Sequence, residues 1–226
     1  MIDAILPAAG RATRMRGLPK FLLPSGPGYL TLIEQHIASM LEHCEKVWIP
    51  TRPEQVVLLE TIGISSDRVV VVPMSTSSMT ETILRVAGIS SATRFVMAMP
   101  DTSYSGEKPY EYLARSTAGM SLACWEIRPD QMGKLGQVKM ESMPVGRILE
   151  AEDKNPICNF PHAWGAMSFD RRLLELADKS MATIGDILPK LLDRGFEVTG
   201  RVMEGEYFDC GTPEEYIKLL FSESST

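Results

Sequence analysis

Four cationic side chains lie close together near the start of the chain, after an apolar run and a turn of small residues. They are Arg11, Arg14, Arg16 and Lys20. The turn contains Ala8, Ala9 and Gly10, whose small side chains let backbone N–H groups approach and cradle phosphate oxygens. Arginine can bind a phosphate through two hydrogen bonds, whereas lysine acts as a point charge. A solvated basic loop would have the same composition, but the order of strand, turn, arginine and lysine favours a phosphate-binding loop.

A carboxylate follows a second apolar run, RFVMAM at residues 94–99. Ligands of open α/β sheets bind outside the carboxyl ends of the strands, so Asp101 lies where chemistry is expected. An aspartate that only forms a turn is the ordinary alternative.

The elements that must position these side chains alternate through the first half of the chain. Strand-like apolar runs occupy residues 2–6, 47–49, 68–72 and 94–99. Thr31 and Glu34 form a T-x-x-E capping box that predicts a helix to about residue 42, and further helices are predicted after Pro53 and over 80–87. Apolar strands separated by helices predict a parallel sheet covered on both faces, the doubly wound arrangement.

The second half contains shorter runs that are broken by Pro, Gly and Asp. They are SLACWEI, QVKM, RILEA and AWGAMSF, between residues 121 and 169. These interruptions predict some antiparallel pairing. Helices are predicted again at about 170–178, 184–194 and 213–221.

Composition and charge exclude several classes of protein. The 226 residues, 44% of them hydrophobic, suit one globular domain. Lys and Arg number 23 against 29 Asp and Glu, a net charge of −6 without a long basic run, which disfavours nucleic acid as a partner. The four cysteines have no CxxC or zinc spacing, so reduced thiols are expected. With no signal-peptide pattern and no apolar run long enough to cross a bilayer, a soluble cytoplasmic protein without membrane contact is expected.

The stretch LPAAGRATRMRGLPKFLLP at residues 6–24 resembles the signature loop of the sugar-1-phosphate nucleotidyltransferases, the nucleoside-diphosphate-sugar pyrophosphorylases. Their pattern is A-G-x-G-T-R-[LM] followed by P-K-x-x-x-P. The matching residues are Gly10, Thr13, Arg14, Pro19, Lys20 and Pro24. Ala12 replaces the second glycine, a change that most loop conformations accept. The resemblance implies that Arg14 holds the departing pyrophosphate and Lys20 the attacking or α-phosphate.

Two further motifs imply a metal site. Pro100-Asp101 is similar to the family's strand-terminal G-D, and EYFDCGTPEEY at 206–216 is similar to W-x-D-I-G-T-P-E-D-Y. The resemblance makes Asp101 and Asp209 ligands of Mg²⁺. A shared ion, with hard oxygen ligands completed by substrate phosphates, also explains why two aspartates so distant in sequence both follow apolar runs.

The acceptor motif lies in the middle of the chain, where ILEAEDKNP at 148–156 resembles V-x-E-K-P. It implies that Lys154 binds the acceptor phosphate and leaves open whether Glu152 or Asp153 is the acid that binds the acceptor. LGQV at 135–138 resembles Y-G-V-V, and AWGAMSF at 163–169 resembles N-A-G-I-Y-V-F. These two stretches add Gly136, Trp164 and Gly165 to the predicted substrate contacts.

The base-binding motif departs most from the family. Near Pro73, where the family has a base-reading glutamine followed by G-T-A-x-A, this chain has MSTSSM. Ser77 and Ser78 are the candidate contacts, although a serine-rich surface loop is the ordinary alternative, and weak discrimination between pyrimidine triphosphates is expected. With these two serines, the predicted substrate contacts from the first half are Ala8, Ala9, Gly10, Arg11, Thr13, Ser77 and Ser78.

The resemblance implies a fold and an activity. The fold is an α/β, Rossmann-like three-layer α/β/α domain with a mixed, mainly parallel central sheet, of the nucleotide-diphospho-sugar transferase type. One domain spans 1–226, with a nucleotide-binding half at 1–120, an acceptor-binding half at 121–226 and no C-terminal β-helix. The activity is Mg²⁺-dependent transfer of a nucleoside monophosphate from an NTP to a sugar 1-phosphate, with release of pyrophosphate, and a homo-oligomer is compatible with it.

Three other functions stay open. Ala12 and Ser78-Met79 would permit a catalytically silent regulatory subunit that binds a nucleotide or an NDP-sugar, and relatives of this fold use choline phosphate as the acceptor of a cytidylyl group. An NAD(P)-dependent dehydrogenase is disfavoured because the sequence contains neither GxGxxG after the first strand nor a P-loop.

Overall fold

Helices and strands alternate along the chain in the computed structural model, which describes residues 1–10, 15, 17–26 and 28–223. The first half contains β1 (Ile2–Ile5), β2 (Pro24–Ser25), β3 (Leu30–Thr31), α1 (Leu32–Leu41), β4 (Lys46–Thr51), α2 (Pro53–Thr61), β5 (Val69–Pro73), α3 (Met79–Ile89), β6 (Arg94–Ala98), β7 (Thr102–Tyr104) and α4 (Tyr110–Arg115). The second half contains β8 (Met120–Glu126), β9 (Gly136–Met140), β10 (Val145–Asp153), β11 (His162–Asp170), α5 (Ile187–Asp193), β12 (Val198–Val202), β13 (Tyr207–Asp209) and α6 (Pro213–Glu223). Short 3₁₀ helices lie at Lys20–Leu22, Pro129–Gln131, Arg171–Leu176 and Ile184–Asp186.

Nine strands form the central sheet in the order β5-β4-β1-β6-β11-β8-β12-β10-β9. Strands β5, β4, β1 and β6 pair in parallel, and β12 pairs in parallel with β8. Strands β10 and β11 pair antiparallel with their neighbours and therefore run against the rest of the sheet. The predicted mixed, mainly parallel sheet is confirmed, including antiparallel pairing in the second half.

Buried side chains cover both faces of this sheet. Consecutive residues of β1 point to opposite sides, so Ala4 belongs to one buried cluster and Ile5 to the other. Ile33 of α1 packs in the first cluster, whereas Ile83 of α3 and Ile187 of α5 pack in the second. Helices thus cover the sheet from both sides, which confirms the three-layer α/β/α arrangement.

A local capping signal accounts for the start of α1. The Thr31–Glu34 capping box is present: the Thr31 hydroxyl accepts from the Glu34 N–H, and the Glu34 carboxylate accepts from the Thr31 N–H at 2.7 Å. The segment predicted as a helix at 170–178 is instead a 3₁₀ helix, Arg171–Leu176, and the helix predicted at 184–194 begins with a 3₁₀ turn before α5. Both segments are short, and isolated helical turns gain their stability from packing rather than from local propensity.

All four cysteines are free thiols and buried. Within the described ranges, every helix is too short or too polar to cross a membrane.

Candidate active site

A cleft of about 260 Å³ opens at the carboxyl ends of β1 and β6. One wall consists of Pro7, Ala8 and Gly10 from the loop after β1. The opposite wall comes from β9, from the end of β10 and from β11. Both halves of the chain therefore line one cavity, at the place where an open α/β sheet binds its ligands.

Backbone pairing brings Asp101 and Asp209 together. Strands β7 and β13 form a separate two-stranded antiparallel sheet in which Asp209 lies opposite Thr102, the neighbour of Asp101. The N–H of Cys210 donates to the Asp101 carbonyl at 3.0 Å, and the Asp209 carboxylate accepts from the Gly211 N–H at 3.0 Å. Both aspartates line the cleft, although 107 residues separate them in the chain (209 − 101 − 1).

Lys20 contacts one of these carboxylates directly. Its Nζ lies 2.7 Å from Oδ2 of Asp101, and the two side chains are only 12% and 16% exposed. Lys20 begins the short 3₁₀ helix after Pro19, and buried Phe21 anchors that turn in the core. A charge-assisted hydrogen bond in this sheltered position is stronger than a surface ion pair.

The same carboxylates fit the implied Mg²⁺. Among the described residues no three His, Cys, Asp or Glu side chains gather as a complete protein cage for a metal. Mg²⁺ does not require one, because it is commonly held by one or two carboxylates, with phosphate oxygens and water completing its octahedron. Two aspartates that face one cleft supply that donor set.

On the opposite wall, Asp153 ends β10, Lys154 follows it, and both line the cleft. The Thr183 hydroxyl donates to Oδ2 of Asp153 at 3.4 Å. Burial raises the pKa of Asp153, and the negative charge of Asp186 acts in the same direction. Lys154 adopts a left-handed backbone with φ of 51°, a conformation that is uncommon outside glycine and occurs often at functional sites.

Glu152, the alternative acid, is exposed and does not line the cleft. Its carboxylate lies 3.4 Å from the side-chain nitrogen of Asn155. Side chains alternate between the two faces of a strand, so only one of two neighbouring acids can point into the cavity. By position, Asp153 is the better candidate.

Trp164 lies in the same wall of the cleft and packs against two glycines. A Cβ atom at Gly136 would overlap the indole ring, and one at Gly185 would approach it to 3.0 Å. Gly165 also lines the cleft, and a Cβ there would overlap Tyr207. Gly136 and Gly165 require glycine because aromatic rings occupy the space that a Cβ atom would need.

We expect Gly136→Ala to displace the Trp164 ring and raise KM for the acceptor roughly tenfold, with a changed tryptophan emission spectrum. Gly88→Ala is the matched control, because a Cβ there meets nothing within 4 Å in α3. It should leave kinetics unchanged and stabilise the helix by about 0.5–1 kcal/mol. If the emission spectrum and KM of Gly136→Ala were unchanged, Trp164 would not be a contact of the acceptor.

The predicted base contacts Ser77 and Ser78 lie outside the cleft lining. The Ser78 hydroxyl caps α3 by accepting from the Glu81 N–H at 3.1 Å. The hydroxyl and the backbone N–H of Ser77 both donate to the Glu81 carboxylate. These two hydrogen bonds lower the pKa of Glu81 to about 2. Ser78 and Glu81 make an S-x-x-E pattern, so the capping role was readable from the sequence.

Gln55 is a cleft residue that the sequence analysis missed. It lies in the first turn of α2, beside the wall formed by Ala8 and Gly10, and is 8% exposed. The signal that could have found it is its position: a polar amide one turn into a helix that follows the carboxyl end of a sheet strand.

Ala9 lies next to this wall but is not part of the lining, and Arg11, Thr13 and Arg14 lie outside the described residues.

His36, which the sequence left without a role, lies buried behind Thr102. Its Nε2 donates to the Thr102 carbonyl at 2.8 Å, and its Nδ1 accepts from the Tyr110 hydroxyl. Burial lowers the pKa of His36 to about 4. The neutral ring therefore ties α1 to the strand that follows Asp101.

This pKa predicts how stability depends on pH. The unfolded histidine titrates near 6.5 and the folded one near 4, so unfolding binds a proton between these values. The contribution of His36 is fully present above pH 6.5 and is lost as the pH falls towards 4, by about 3 kcal/mol in all. Urea denaturation between pH 4 and 7 should give a shallower pH dependence for His36→Gln, whose amide can still donate to Thr102. Equal slopes in both proteins would contradict the buried neutral ring.

Comparison with known proteins decides the family. The model of the MobA-like NTP transferase domain matches residues 4–155, which is more than half of the chain. The chain belongs to this family. The nucleotidyltransferase family expected from the motifs is confirmed, and no curated protein sequence matches the chain significantly.

Solved structures share the fold of this NTP transferase domain. A UDP-glucose pyrophosphorylase complexed with UDP-glucose aligns with a TM-score of 0.80 at 18% identity, over 100% of this chain and 99% of the other. A UTP-bound UGPase from Acinetobacter baumannii gives 0.77 at 17% identity, over 98% and 93%. The inositol-1-phosphate CTP transferase from T. maritima gives 0.77 at 15% identity, over 98% and 96%. The TM-scores establish the nucleotide-diphospho-sugar transferase fold. At identities this low, the likeness shows the fold alone.

Proposed function

We propose that this protein transfers a nucleoside monophosphate from an NTP to a sugar 1-phosphate and releases pyrophosphate, with Mg²⁺ as cofactor. The observation that carries the proposal is one cleft lined by Lys20, Asp101 and Asp209 on one side and by Asp153 and Lys154 on the other. In this proposal residues 1–120 bind the nucleotide and residues 121–226 the acceptor, as two halves of one domain.

The reaction needs no protein nucleophile. An oxygen of the acceptor phosphate attacks the α-phosphorus, the new P–O bond forms as the bond to the β-phosphate oxygen breaks, and pyrophosphate leaves with that electron pair. Catalysis of such a displacement is mostly positioning and charge neutralisation. Lys20 neutralises charge at the α-phosphate, Lys154 orients the acceptor phosphate, and Arg14 holds the pyrophosphate.

Asp101 and Asp209 are the residues that would hold Mg²⁺. When bound, this ion supplies positive charge to the phosphate oxygens. Lys20 gives Asp101 a cationic partner at 2.7 Å, so the charge of this carboxylate is already paired before the nucleotide arrives.

The structural relatives support this reaction type and widen the choice of acceptor. By their names, one is a UDP-glucose pyrophosphorylase and another is an inositol-1-phosphate CTP transferase. A choline-type phosphate is a second candidate acceptor, and one observation favours it. Asp153, Trp164 and Asp186 line a cavity of about 250 Å³ that adjoins the cleft, and an indole face beside carboxylates attracts a quaternary ammonium.

Pyrophosphate release tests these proposals. Each of UTP, CTP, GTP, ATP and dTTP is paired with glucose 1-phosphate, inositol 1-phosphate or choline phosphate, with and without excess EDTA. Release that requires a sugar phosphate and stops with EDTA supports the first proposal, and release only with choline phosphate supports the second. NTP binding without release in any pairing would indicate a silent regulatory subunit.

A further inference from the structure

Gln55 occupies the nucleotide side of the cleft, far from the acceptor residues in the sheet order. Ala8 forms a parallel bridge with Thr51, and the Ala8 N–H donates to the Pro50 carbonyl at 2.9 Å. This bridge extends the β1–β4 pairing to the cleft wall, where Gln55 lies four residues after Thr51. Asp153, by contrast, pairs with Gly136 in β9, which joins the sheet through β10 and β11 on the other side of β6.

A buried hydroxyl fixes the orientation of the Gln55 amide. Thr51 is fully buried, and its Oγ1 donates to Oε1 of Gln55 at 3.1 Å. The acceptor end of the amide is thereby engaged with the protein. Within the described part of the chain, no residue accepts a hydrogen bond from Nε2, although Gln55 is nine-tenths buried and lines the cleft.

Such a group has a chemical preference. An amide nitrogen donates and cannot accept, so it binds carbonyl oxygens and unprotonated ring nitrogens and makes no hydrogen bond to an amino group. Uracil, thymine and guanine carry an exocyclic carbonyl at the position where adenine carries an amino group. A polar site that finds no partner in the wrong substrate discriminates more strongly than an apolar pocket of the same shape.

We infer that Gln55 contacts the nucleobase of the NTP and selects uracil, thymine or guanine over adenine. The inference rests on the proposed function only for the presence of an NTP in this cleft. It also names a protein contact for the base, which the sequence had assigned to Ser77 and Ser78.

The test measures NTP binding without an acceptor, by calorimetry with UTP, GTP and ATP in buffer containing Mg²⁺. The wild-type protein should bind UTP or GTP roughly tenfold or more tightly than ATP. Gln55→Glu has the same shape but only acceptor oxygens, and it should lose or reverse this preference. Val57→Glu is the matched control, because it adds the same charge to an exposed position of α2 and should keep the preference.

Thr51→Val provides a second route if Gln55→Glu does not fold. It keeps the shape of the buried side chain but removes the hydroxyl that orients the amide, so the preference should weaken while ATP binding stays unchanged. Equal wild-type affinities for UTP, GTP and ATP, a preference for ATP, or a preference that survives both substitutions would overturn the inference. Because binding is measured without turnover, absence of pyrophosphate release would contradict the proposed function and leave this inference standing.

Discussion

Replacing Asp101 or Asp209 with asparagine is expected to lower kcat by at least about a hundredfold and to leave the fold intact. Asparagine keeps the size of the side chain and one oxygen, but it removes the charge that would hold Mg²⁺ against the triphosphate. Asp209 ends β13, Asp101 immediately precedes the partner strand β7, and both line one cleft, so they should act as one unit. Circular dichroism and pyrophosphate release measured side by side separate loss of activity from loss of folding.

The double variant decides whether the two aspartates share one role. If they hold one ion, Asp101→Asn combined with Asp209→Asn should lose little more than either single change. Multiplicative losses would point to separate roles. Full activity in either single variant, or in excess EDTA, would remove the metal site from the proposal.

Replacing Lys20 with methionine is expected to lower kcat roughly a hundredfold or more, the scale of losing one preorganised donor to a charged transition state. Methionine has a similar length and lacks the charge that pairs with Asp101 at 2.7 Å. Arg14→Ala should have an effect of the same size if this arginine holds the leaving pyrophosphate. Lys46→Met, at the exposed start of β4, is the control for loss of one positive charge. Wild-type turnover in Lys20→Met would indicate that the basic loop is a solvated connection between elements and does not bind phosphate.

Local patterns were the most predictable part of this protein. The Thr31–Glu34 capping box lies within one helical turn, so its residues alone specify where α1 begins. The same logic applies to Ser78 and Glu81, whose S-x-x-E pattern specifies where α3 begins. The short strands β7 and β13 escaped prediction because three residues carry too little periodicity.

The site was predictable only where a motif marked it. Nothing in the 81-residue separation of Lys20 and Asp101 implies their contact, and the resemblance placed Lys20 at a phosphate and Asp101 at Mg²⁺. Gln55 had no such motif, and its importance follows from the hydroxyl of Thr51 and the bridge at Ala8, which exist only after folding. Likewise, the choice between Glu152 and Asp153 depends on which face of β10 meets the cleft.

The pairing of β7 with β13 also determines when the site can assemble. An N-terminal fragment that contains the cationic loop, Asp101 and even the whole span matched by the family model still lacks Asp209. Closing so long a loop costs chain entropy and slows folding, because the contact joins distant parts of the sequence. During synthesis, when N-terminal segments fold first, the nascent chain would carry one aspartate of the pair, held by Lys20, until β13 emerges. The protein would thus acquire its complete pair of carboxylates as one of the last steps of folding.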